Sequence, residues 1–387
     1  TEAGGITAHS SILARSFEIP AVIGVNEITQ FVNHNDTAMV DGYAGYVIFN
    51  PSEEKIELFK IKRSEEEGHR RELGQLVKIK TSTKDGRKIH LLSNCDSPEE
   101  VDSAMMVGSE GIGLVRSEHL VLALNYFPDE QEQYKWYSEI AQRAYPNMVT
   151  IRAFDVGSDK YAEGMSKHEN NPALGFRGIR FLLHREDLFI TQIRAILRAS
   201  KNKNIRIMLP MVSNLSQIES SKVLIEKCKD MLRQENELFD SQIPVGIMIE
   251  TPAAALLAEK FAENCDFFSI GTNDLTQYTL AADRTNELVT GIYDSFHPAV
   301  LKLIKSAVDG AKKKNIPVGV CGELAGHTAA TELLIGLGID ELSTVPSILL
   351  ELKSRILKIK YSKSKKIAKE ILNCNSFYEV TQKLQLV

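Results

Sequence analysis

Eight short apolar segments that alternate with helix-forming segments constrain the fold of this chain more than any other feature. Several are nearly continuous apolar runs, such as residues 205–211, and runs of this kind are typical of parallel strands buried on both faces. Eight strands in alternation with helices predict an α/β fold, a (β/α)8 TIM barrel. The predicted strands are Ile89–Asn94, Gly111–Glu118, Met148–Asp155, Ile205–Met211, Pro244–Thr251, Phe267–Asp274, Pro317–Glu323 and Glu341–Val345.

Composition divides the chain into three segments. Residues 1–51 alternate apolar runs with turn signals such as Asp41-Gly42, which predicts a small mixed α/β unit. Residues 52–80 are rich in Glu, Lys and Arg and predict a charged helical linker. Residues 81–387 hold the predicted barrel and the C-terminal helices. Because the chain begins at Thr1 inside a motif, we expect it to be the N-terminally truncated piece of a longer protein.

The charge balance and the cysteines exclude several classes of protein. A net charge of −5 gives no sign of a nucleic-acid partner, and no apolar run approaches the roughly 18–20 residues that cross a bilayer, so we expect no membrane insertion. The five cysteines are widely spaced and form no C-x-x-C pair. This pattern indicates reduced thiols in the cytoplasm and argues against a disulfide framework or a zinc site.

A histidine near the start of the chain has the surroundings of a phosphate carrier. Gly4 and Gly5 allow close approach of a bulky anion, and residues 10–17 predict a helix whose first turn holds His9. Imidazole is a competent nucleophile near neutral pH, so His9 is a candidate phosphoryl acceptor. The alternative is that His9 caps the helix or packs in a small core.

The ends of the predicted strands carry a second set of candidates, where barrel enzymes place their functional side chains. Arg116 and Arg152 end adjacent strands and suit a phosphate or a carboxylate. Glu250 and Asp274 end neighbouring strands and suit Mg²⁺, and Cys321 would project its thiol into the same site. Each residue alone could be structural, as an ion pair or a buried small side chain. Together they predict a site for an anionic, phosphorylated acid.

Contiguous motifs resemble the phosphoenolpyruvate-utilising enzymes, the family that contains enzyme I of the bacterial sugar phosphotransferase system, pyruvate phosphate dikinase and phosphoenolpyruvate synthase. The segment from Gly4-Gly5-x-Thr7-x-His9 to Ile19-Pro20-Ala21-Val22-Ile23-Gly24 resembles the phosphohistidine domain of that family. Further segments resemble its enzyme I branch and span almost the whole chain: Gly113–Glu118, Asn171–Arg177, Glu250–Ala255, Ser269–Leu280 and Cys321–Gly326.

The resemblance implies a fold, a reaction and a role for each candidate. Residues 1–51 would be the C-terminal part of a swivelling phosphohistidine domain. Mg²⁺-dependent transfer from phosphoenolpyruvate to His9 would release pyruvate, with Cys321 protonating the enolate. Glu250 and Asp274 would bind the metal. The implied substrate contacts are Arg116, Arg152, Asn273, Asp274 and Arg284, together with Lys160 and Arg177, which match pocket positions.

The chain departs from the family pattern at three places. Ser158 replaces the usual second glycine before Asp159-Lys160, His119 follows Ser117-Glu118 where the family more often has Phe, and His327 stands where an acid is common. None of these changes removes a charged group from the predicted pocket.

The resemblance also implies two protein partners. One is the phosphocarrier protein HPr, which would dock on a domain preceding this chain and serve sugar uptake. The other is a second copy of the chain, bound through the barrel, whose C-terminal helices carry apolar positions at Ile356, Ile359, Ile367, Ile371 and Leu372. Two alternatives stay open: a dikinase or synthase fragment, and a non-catalytic dimerisation module that senses phosphoenolpyruvate.

Overall fold

The computed structural model describes residues 1–2, 19–42, 44–157, 169, 171–284, 286–289 and 291–385. These residues form two compact units, Thr1–Gln75 and Leu76–Val387. The candidates His9 and Lys160 lie outside the described residues.

The first unit contains a short hairpin and a long charged helix. After α1 (Ile28–Phe31), strands β1 (Ala38–Asp41) and β2 (Tyr46–Phe49) pair in antiparallel register, so Asp41 and Gly42 begin the predicted turn. Helix α2 (Glu53–Gly74) starts at Ser52, whose hydroxyl accepts the N–H of Lys55, and only Leu73 is buried along it. The helix therefore fits the charged helical character predicted for residues 52–80, while the domain boundaries at 51 and 80 remain predictions.

The second unit is a closed barrel of eight parallel strands in the order β10-β3-β4-β5-β6-β7-β8-β9, which confirms the predicted fold. All eight predicted strands form, several of them shorter than predicted because the chain turns into a helix or loop directly after the apolar run. The strands are β3 (His90–Cys95), β4 (Gly111–Arg116), β5 (Met148–Arg152), β6 (Ile205–Leu209), β7 (Val245–Ile249), β8 (Phe268–Ile270), β9 (Val318–Val320) and β10 (Glu341–Thr344).

Helices surround the barrel and follow its strands. Their bounds are α3 (Pro98–Met106), α4 (Glu118–Leu124), α5 (Glu130–Ala144), α6 (Ile179–His184), α7 (Glu186–Ala199), α8 (Leu215–Gln234), α9 (Pro252–Leu256), α10 (Ala258–Ala262), α11 (Thr272–Leu280), α12 (Pro298–Lys313), α13 (Thr331–Leu337), α14 (Pro346–Lys358), α15 (Tyr361–Ile371) and α16 (Phe377–Gln385). No helix among the described residues is both long enough and apolar enough to cross a membrane.

Two hydrophobic layers hold the barrel together. Strands and helices share a large outer core, while a small separate cluster contains Leu114, Met208, Met248, Phe267 and Cys321. Since side chains alternate along a strand, Arg206 shares the face of Met208, and its guanidinium lies 4.2 Å from the centre of the Phe267 ring. The small cluster therefore fills the barrel interior.

A buried ion pair lies among the amino-terminal halves of the strands. Arg206 Nη2 is 2.6 Å from Glu341 Oε2, and Arg206 Nε donates to Thr150 Oγ1 at 2.7 Å. Glu341 is the first residue of β10, so the pair lies at the end of the barrel opposite the carboxyl ends of the strands. The interior there is filled by charged side chains that satisfy one another.

The C-terminal helices pack onto the barrel core. Ile356 and Ile371 are fully buried, and Ile359, Ile367 and Leu372 pack against the same core. The structure therefore removes the reason that we drew from these residues for a homodimer, because they cover the chain's own core.

The contact between α13 and α15 tolerates no side chain at Gly336. A Cβ atom there would lie 2.1 Å from the carbonyl oxygen of Ser364 and 3.0 Å from the Cβ of Ala368. Backbone atoms cannot move aside as a flexible side chain can, so an added methyl group must separate the two helices.

We predict that Gly336→Ala destabilises the barrel unit by about 1–3 kcal/mol, the usual cost of overpacking. Gly68→Ala is the matched control, because Gly68 lies in α2 with no heavy atom within 4 Å of the new Cβ. That change should stabilise α2 by about 0.5–1 kcal/mol. Hydrogen exchange of peptides from α13, α15 and α2 measures both effects, and unchanged protection of α13 and α15 in Gly336→Ala would contradict the prediction.

Candidate active site

Three carboxylates meet at the carboxyl ends of the barrel strands. Asp155 follows β5, Glu250 follows β7, and Asp274 lies in the first turn of α11, just after β8. One oxygen from each lies within 4.8 Å of the others. Hard oxygen ligands at this spacing could hold a divalent cation.

Glu250 is the buried member of this cluster. Its side chain is only 1% exposed, and Oε1 accepts the N–H of Met211 at 2.5 Å. Burial raises the pKa of Glu250 well above its ordinary value, and the charges of Asp155 and Asp274 raise it further. The absence of a Cβ at Gly271 leaves room for this side chain, since a methyl group there would lie 3.1 Å from Glu250 Oε2.

Arg177 forms a fork on one of the carboxylates. Its Nε donates to Asp155 Oδ1 at 3.1 Å and its Nη2 to Asp155 Oδ2 at 2.7 Å. The same Nη2 is 3.5 Å from Asp274 Oδ2, and Nη1 lies 3.3 Å from the Tyr278 hydroxyl. Burial alone would lower the pKa of Arg177, but the neighbouring carboxylates raise it well above its ordinary value. Arg177 is therefore a fixed positive charge beside the cluster.

Arg152 is the second buried cation. Its Nη2 pairs with Glu118, its Nη1 is 3.3 Å from Asp155 Oδ2, and the side chain is almost fully buried. The carbonyl oxygen of Arg152 accepts the Ser117 hydroxyl at 2.6 Å, which fixes the strand end. Within the described residues, Arg152 Nε is buried without a hydrogen-bond partner, as is Glu118 Oε2. A buried N–H left unpaired is costly, so this donor is available to an anionic ligand.

Arg116 lies nearer the surface. Its Nη1 contacts both oxygens of Asp96, at 3.3 and 3.2 Å, and its side chain is 39% exposed. Asp96 Oδ2 also lies 3.6 Å from His119 Nε2. Among the described residues, the hydrogen bonds of the Arg116 guanidinium run from one nitrogen to one carboxylate.

Cys321 is buried at the carboxyl end of β9. Its thiol faces the carbonyl oxygen of Ile270 at 3.8 Å, and its own carbonyl accepts the Asn94 side-chain N–H at 3.1 Å. Burial raises the pKa of Cys321, although Arg152 and Arg116 lie close enough to act in the opposite direction. The thiol is therefore protonated at neutral pH and can donate a proton.

Asn273 joins the Cys321 loop to α11. Its Nδ2 donates to Glu323 Oε1 at 2.8 Å and its Oδ1 accepts the N–H of Glu323 at 2.8 Å. The Tyr293 hydroxyl donates to the carbonyl of Asn273 at 3.0 Å. Burial raises the pKa of Tyr293, and Arg284, which is exposed, acts to lower it.

The structure thus brings most of the predicted site residues to one end of the barrel. Arg116, Arg152, Arg177, Glu250, Asn273, Asp274 and Cys321 lie there. Arg284 lies on the loop after α11, where it is exposed and close enough to Tyr293 to act to lower the pKa of that hydroxyl. Sequence reasoning missed Asp155 as a ligand, although Asp155 ends a predicted strand in the same way as Glu250. It also did not name Asp96, Glu118 and Glu323 as partners of the predicted residues, although Glu118 and Glu323 end predicted strands.

A surface groove elsewhere lacks comparable chemistry. It encloses about 620 Å³ along α8 and is lined by side chains between Lys222 and Gln234 of that single helix. Lys222, Val223 and Glu226 are exposed surface residues. The carboxylate and arginine cluster at the strand ends is therefore the better candidate site.

Comparisons with known proteins identify the family of the chain. The family model described as "PEP-utilising enzyme, PEP-binding domain" matches residues 70–361, and the model "PEP-utilising enzyme, mobile domain" matches residues 1–45. A solved aldolase/citrate lyase family protein from Burkholderia cenocepacia J2315 aligns at a TM-score of 0.43 and 14% identity, covering 73% of this chain and 96% of that one. A likeness of that size carries no argument about function.

Three curated relatives share one name. Phosphoenolpyruvate-protein phosphotransferase of Listeria monocytogenes is 40% identical over 383 residues, 99% of this chain and 67% of the relative. The enzymes of Geobacillus stearothermophilus and Haemophilus influenzae are 41% and 39% identical and cover 98% and 100% of this chain, which spans 66% and 67% of them. This chain spans about two thirds of the length of these relatives and belongs to the phosphoenolpyruvate-utilising enzyme family, in its phosphoenolpyruvate-protein phosphotransferase branch.

Proposed function

We propose that this chain carries out Mg²⁺-dependent transfer of the phosphoryl group of phosphoenolpyruvate to His9. In the full-length enzyme the group would pass to the carrier protein HPr for sugar uptake by the phosphotransferase system. The observation that carries the proposal is the cluster of Asp155, Glu250 and Asp274 beside the buried cations Arg152 and Arg177. Carboxylates for a metal next to guanidiniums for an anion suit a phosphorylated acid.

The chemistry of the donor set supports Mg²⁺. Glu250, Asp274 and Asp155 offer only carboxylate oxygens, which Mg²⁺ prefers, and three acidic groups in such proximity repel one another. That repulsion contributes to the raised pKa of Glu250, and a divalent cation would relieve it. When bound, Mg²⁺ would neutralise charge on the phosphoryl group during its transfer.

The arginines would bind and orient the substrate. Arg152 has a buried, unpartnered N–H to offer, and Arg116 can exchange its contact with Asp96 for a contact with the substrate. A guanidinium beside the transferring group stabilises the charge that builds up there. Arg284, Asn273 and Lys160 stay in the proposal as further contacts on the strength of the resemblance.

The proposed chemistry has two steps. A neutral ring nitrogen of His9 attacks phosphorus, the bond from phosphorus to the enol oxygen breaks, and its electron pair remains on enolpyruvate. The thiol of Cys321 then gives its proton to the methylene carbon, which forms pyruvate, and the thiolate regains a proton from water. The raised pKa of Cys321 supports this role, because it keeps the proton on sulfur at neutral pH.

The cellular compartment and the homodimer are proposed on fewer observations. The five cysteines are buried and unpaired, which suits a reducing cytoplasm. The homodimer through the barrel rests on the family resemblance alone, since the apolar residues that first motivated it pack against the core.

We expect phosphoenolpyruvate labelled on phosphorus to transfer its label to His9 in the presence of Mg²⁺. Peptide mapping of the labelled chain identifies the residue, and His9→Ala should remain unlabelled while it binds phosphoenolpyruvate with nearly unchanged affinity. His34→Ala is the matched control and should keep the label, because His34 belongs to no proposed site. Label at another residue of the wild-type chain would refute the proposed acceptor.

We expect Glu250→Gln to weaken Mg²⁺ binding steeply and to stabilise the metal-free protein at neutral pH. An unfolded Glu ionises near pH 4.3, whereas folded Glu250 holds its proton to higher pH, so stability falls as pH rises through that window. Gln removes this cost, which should raise the free energy of unfolding of the metal-free protein. Calorimetric Mg²⁺ titration and chemical denaturation without metal measure the two effects.

Asp274→Asn should weaken Mg²⁺ binding in the same way. The matched control is Asp240→Asn, a buried carboxylate in the loop that leads into β7, which should leave Mg²⁺ affinity unchanged. Wild-type Mg²⁺ affinity in either Glu250→Gln or Asp274→Asn would remove that residue from the metal site.

We expect Cys321→Ala to slow protonation of the enolate while leaving phosphoenolpyruvate affinity nearly unchanged. General acid help is worth roughly 10²–10⁴-fold, so deuterium from solvent should enter pyruvate more slowly by that factor. Cys228→Ala, a buried cysteine on α8, should incorporate deuterium at the wild-type rate. Wild-type incorporation in Cys321→Ala would assign the proton to another donor.

A further inference from the structure

Asp96 lies between Arg116 and a histidine that the proposed reaction does not use. Arg116 ends β4, Asp96 follows β3, and His119 is the second residue of α4. Asp96 Oδ2 is 3.2 Å from Arg116 Nη1 and 3.6 Å from His119 Nε2. One carboxylate therefore faces two groups, an arginine that is always charged and an imidazole that is charged only when protonated.

The other charged groups near His119 are few in the described part of the barrel. Glu100, on α3, accepts the N–H of Asp96 at 2.8 Å, and burial raises its pKa while His119 and Arg116 act to lower it. Glu118, the neighbour of His119 on α4, pairs with Arg152 instead. The charges that face His119 are thus Asp96, Glu100 and Arg116.

We propose that His119 is a positioning residue that acts through Asp96 to set how firmly Arg116 is held before an anionic substrate binds. Protonation of His119 then tightens phosphoenolpyruvate binding. The inference rests on the proposed function only in taking Arg116 as a contact for phosphoenolpyruvate.

The physical reason is competition for one carboxylate. Without substrate, Asp96 neutralises part of the charge of Arg116, and a phosphate or carboxylate must displace that contact. A protonated His119 shares the charge of Asp96 and weakens its hold on Arg116, whereas a neutral His119 leaves the pair intact. Since all three side chains are partly exposed, at 39%, 25% and 39%, solvent reduces the coupling to a modest factor.

The first test compares phosphoenolpyruvate affinity in the wild type and in His119→Phe from about pH 5.5 to about pH 8, the range in which imidazole changes charge. Calorimetry at saturating Mg²⁺ gives the dissociation constants. The substrate's own phosphate also titrates near pH 6, but the ratio of the two constants cancels that effect. We expect His119→Phe to bind about two- to fivefold more weakly at the acidic end and equally well at the basic end.

A fixed charge should restore the effect. His119→Lys keeps a cation beside Asp96 at every pH in this range, so it should match the wild type at the acidic end. At the basic end it should bind phosphoenolpyruvate about two- to fivefold more tightly than the wild type. If the phosphoenolpyruvate affinity of His119→Lys instead equals that of His119→Phe across this pH range, His119 does not act through its charge and the inference is wrong.

A double-mutant cycle tests whether His119 acts through Asp96. In an Asp96→Asn background the competing carboxylate is gone, so a further His119→Phe change should not alter affinity at any pH. An effect that persists in this background would mean that His119 acts on the substrate directly, which contradicts the positioning role.

The control variant is His90→Phe. His90 also pairs with a carboxylate, since its Nδ1 lies 3.0 Å from Glu110 Oε2, but it begins β3 at the opposite end of the barrel. The ratio of the phosphoenolpyruvate dissociation constants of His90→Phe and the wild type should stay near one at every pH. If the wild type fails to bind phosphoenolpyruvate, the proposed function is wrong. If it binds and the His119→Phe ratio does not change with pH, the proposed function stands and this inference is wrong.

Discussion

Parallel pairing of β10 with β3 is the constraint on which the rest of the barrel depends. Four residues of each strand are in register, Glu341 to Thr344 against His90 to Ser93, and this pairing closes the sheet into a ring. In a closed ring of parallel strands every carboxyl end lies at the same rim. Closure of the barrel therefore places residues far apart in sequence, such as Asp96 and Cys321, at the same end, even where they do not contact each other.

The carboxyl ends of the strands bring together charged side chains whose burial costs free energy. Glu250 is buried against two other carboxylates, and its raised pKa records that cost. Arg152 and Arg177 offset part of it, and Asp155 forms an ion pair with Arg152 and accepts hydrogen bonds from Arg177. The arrangement is a balance of opposite charges in a partly dry environment, where each interaction is stronger than in water and each unpaired group more expensive. A site of this kind is stabilised when a divalent cation and an anion bind together.

The apolar runs were enough to predict the barrel, because strands covered on both faces must be almost wholly apolar, as β6 and β7 are. They did not predict where a strand stops. Residues 272–274 continue a predicted strand but begin α11, since a polar strand end and a helix start have similar sequences. Side-chain direction was equally hidden: Asp155 and Glu250 both end strands, yet only the fold shows that both point into one cluster. The partners of the arginines, Glu118 and Asp96, depend on distances that no local pattern contains.

The pair of Arg206 and Glu341 decides from which end of the barrel a ligand can reach the functional site. With Phe267 beneath the guanidinium and Thr150 on its Nε, this pair seals the end of the barrel that lies away from the rim. A ligand therefore reaches the carboxylate cluster from the carboxyl ends of the strands and leaves by the same side of the barrel.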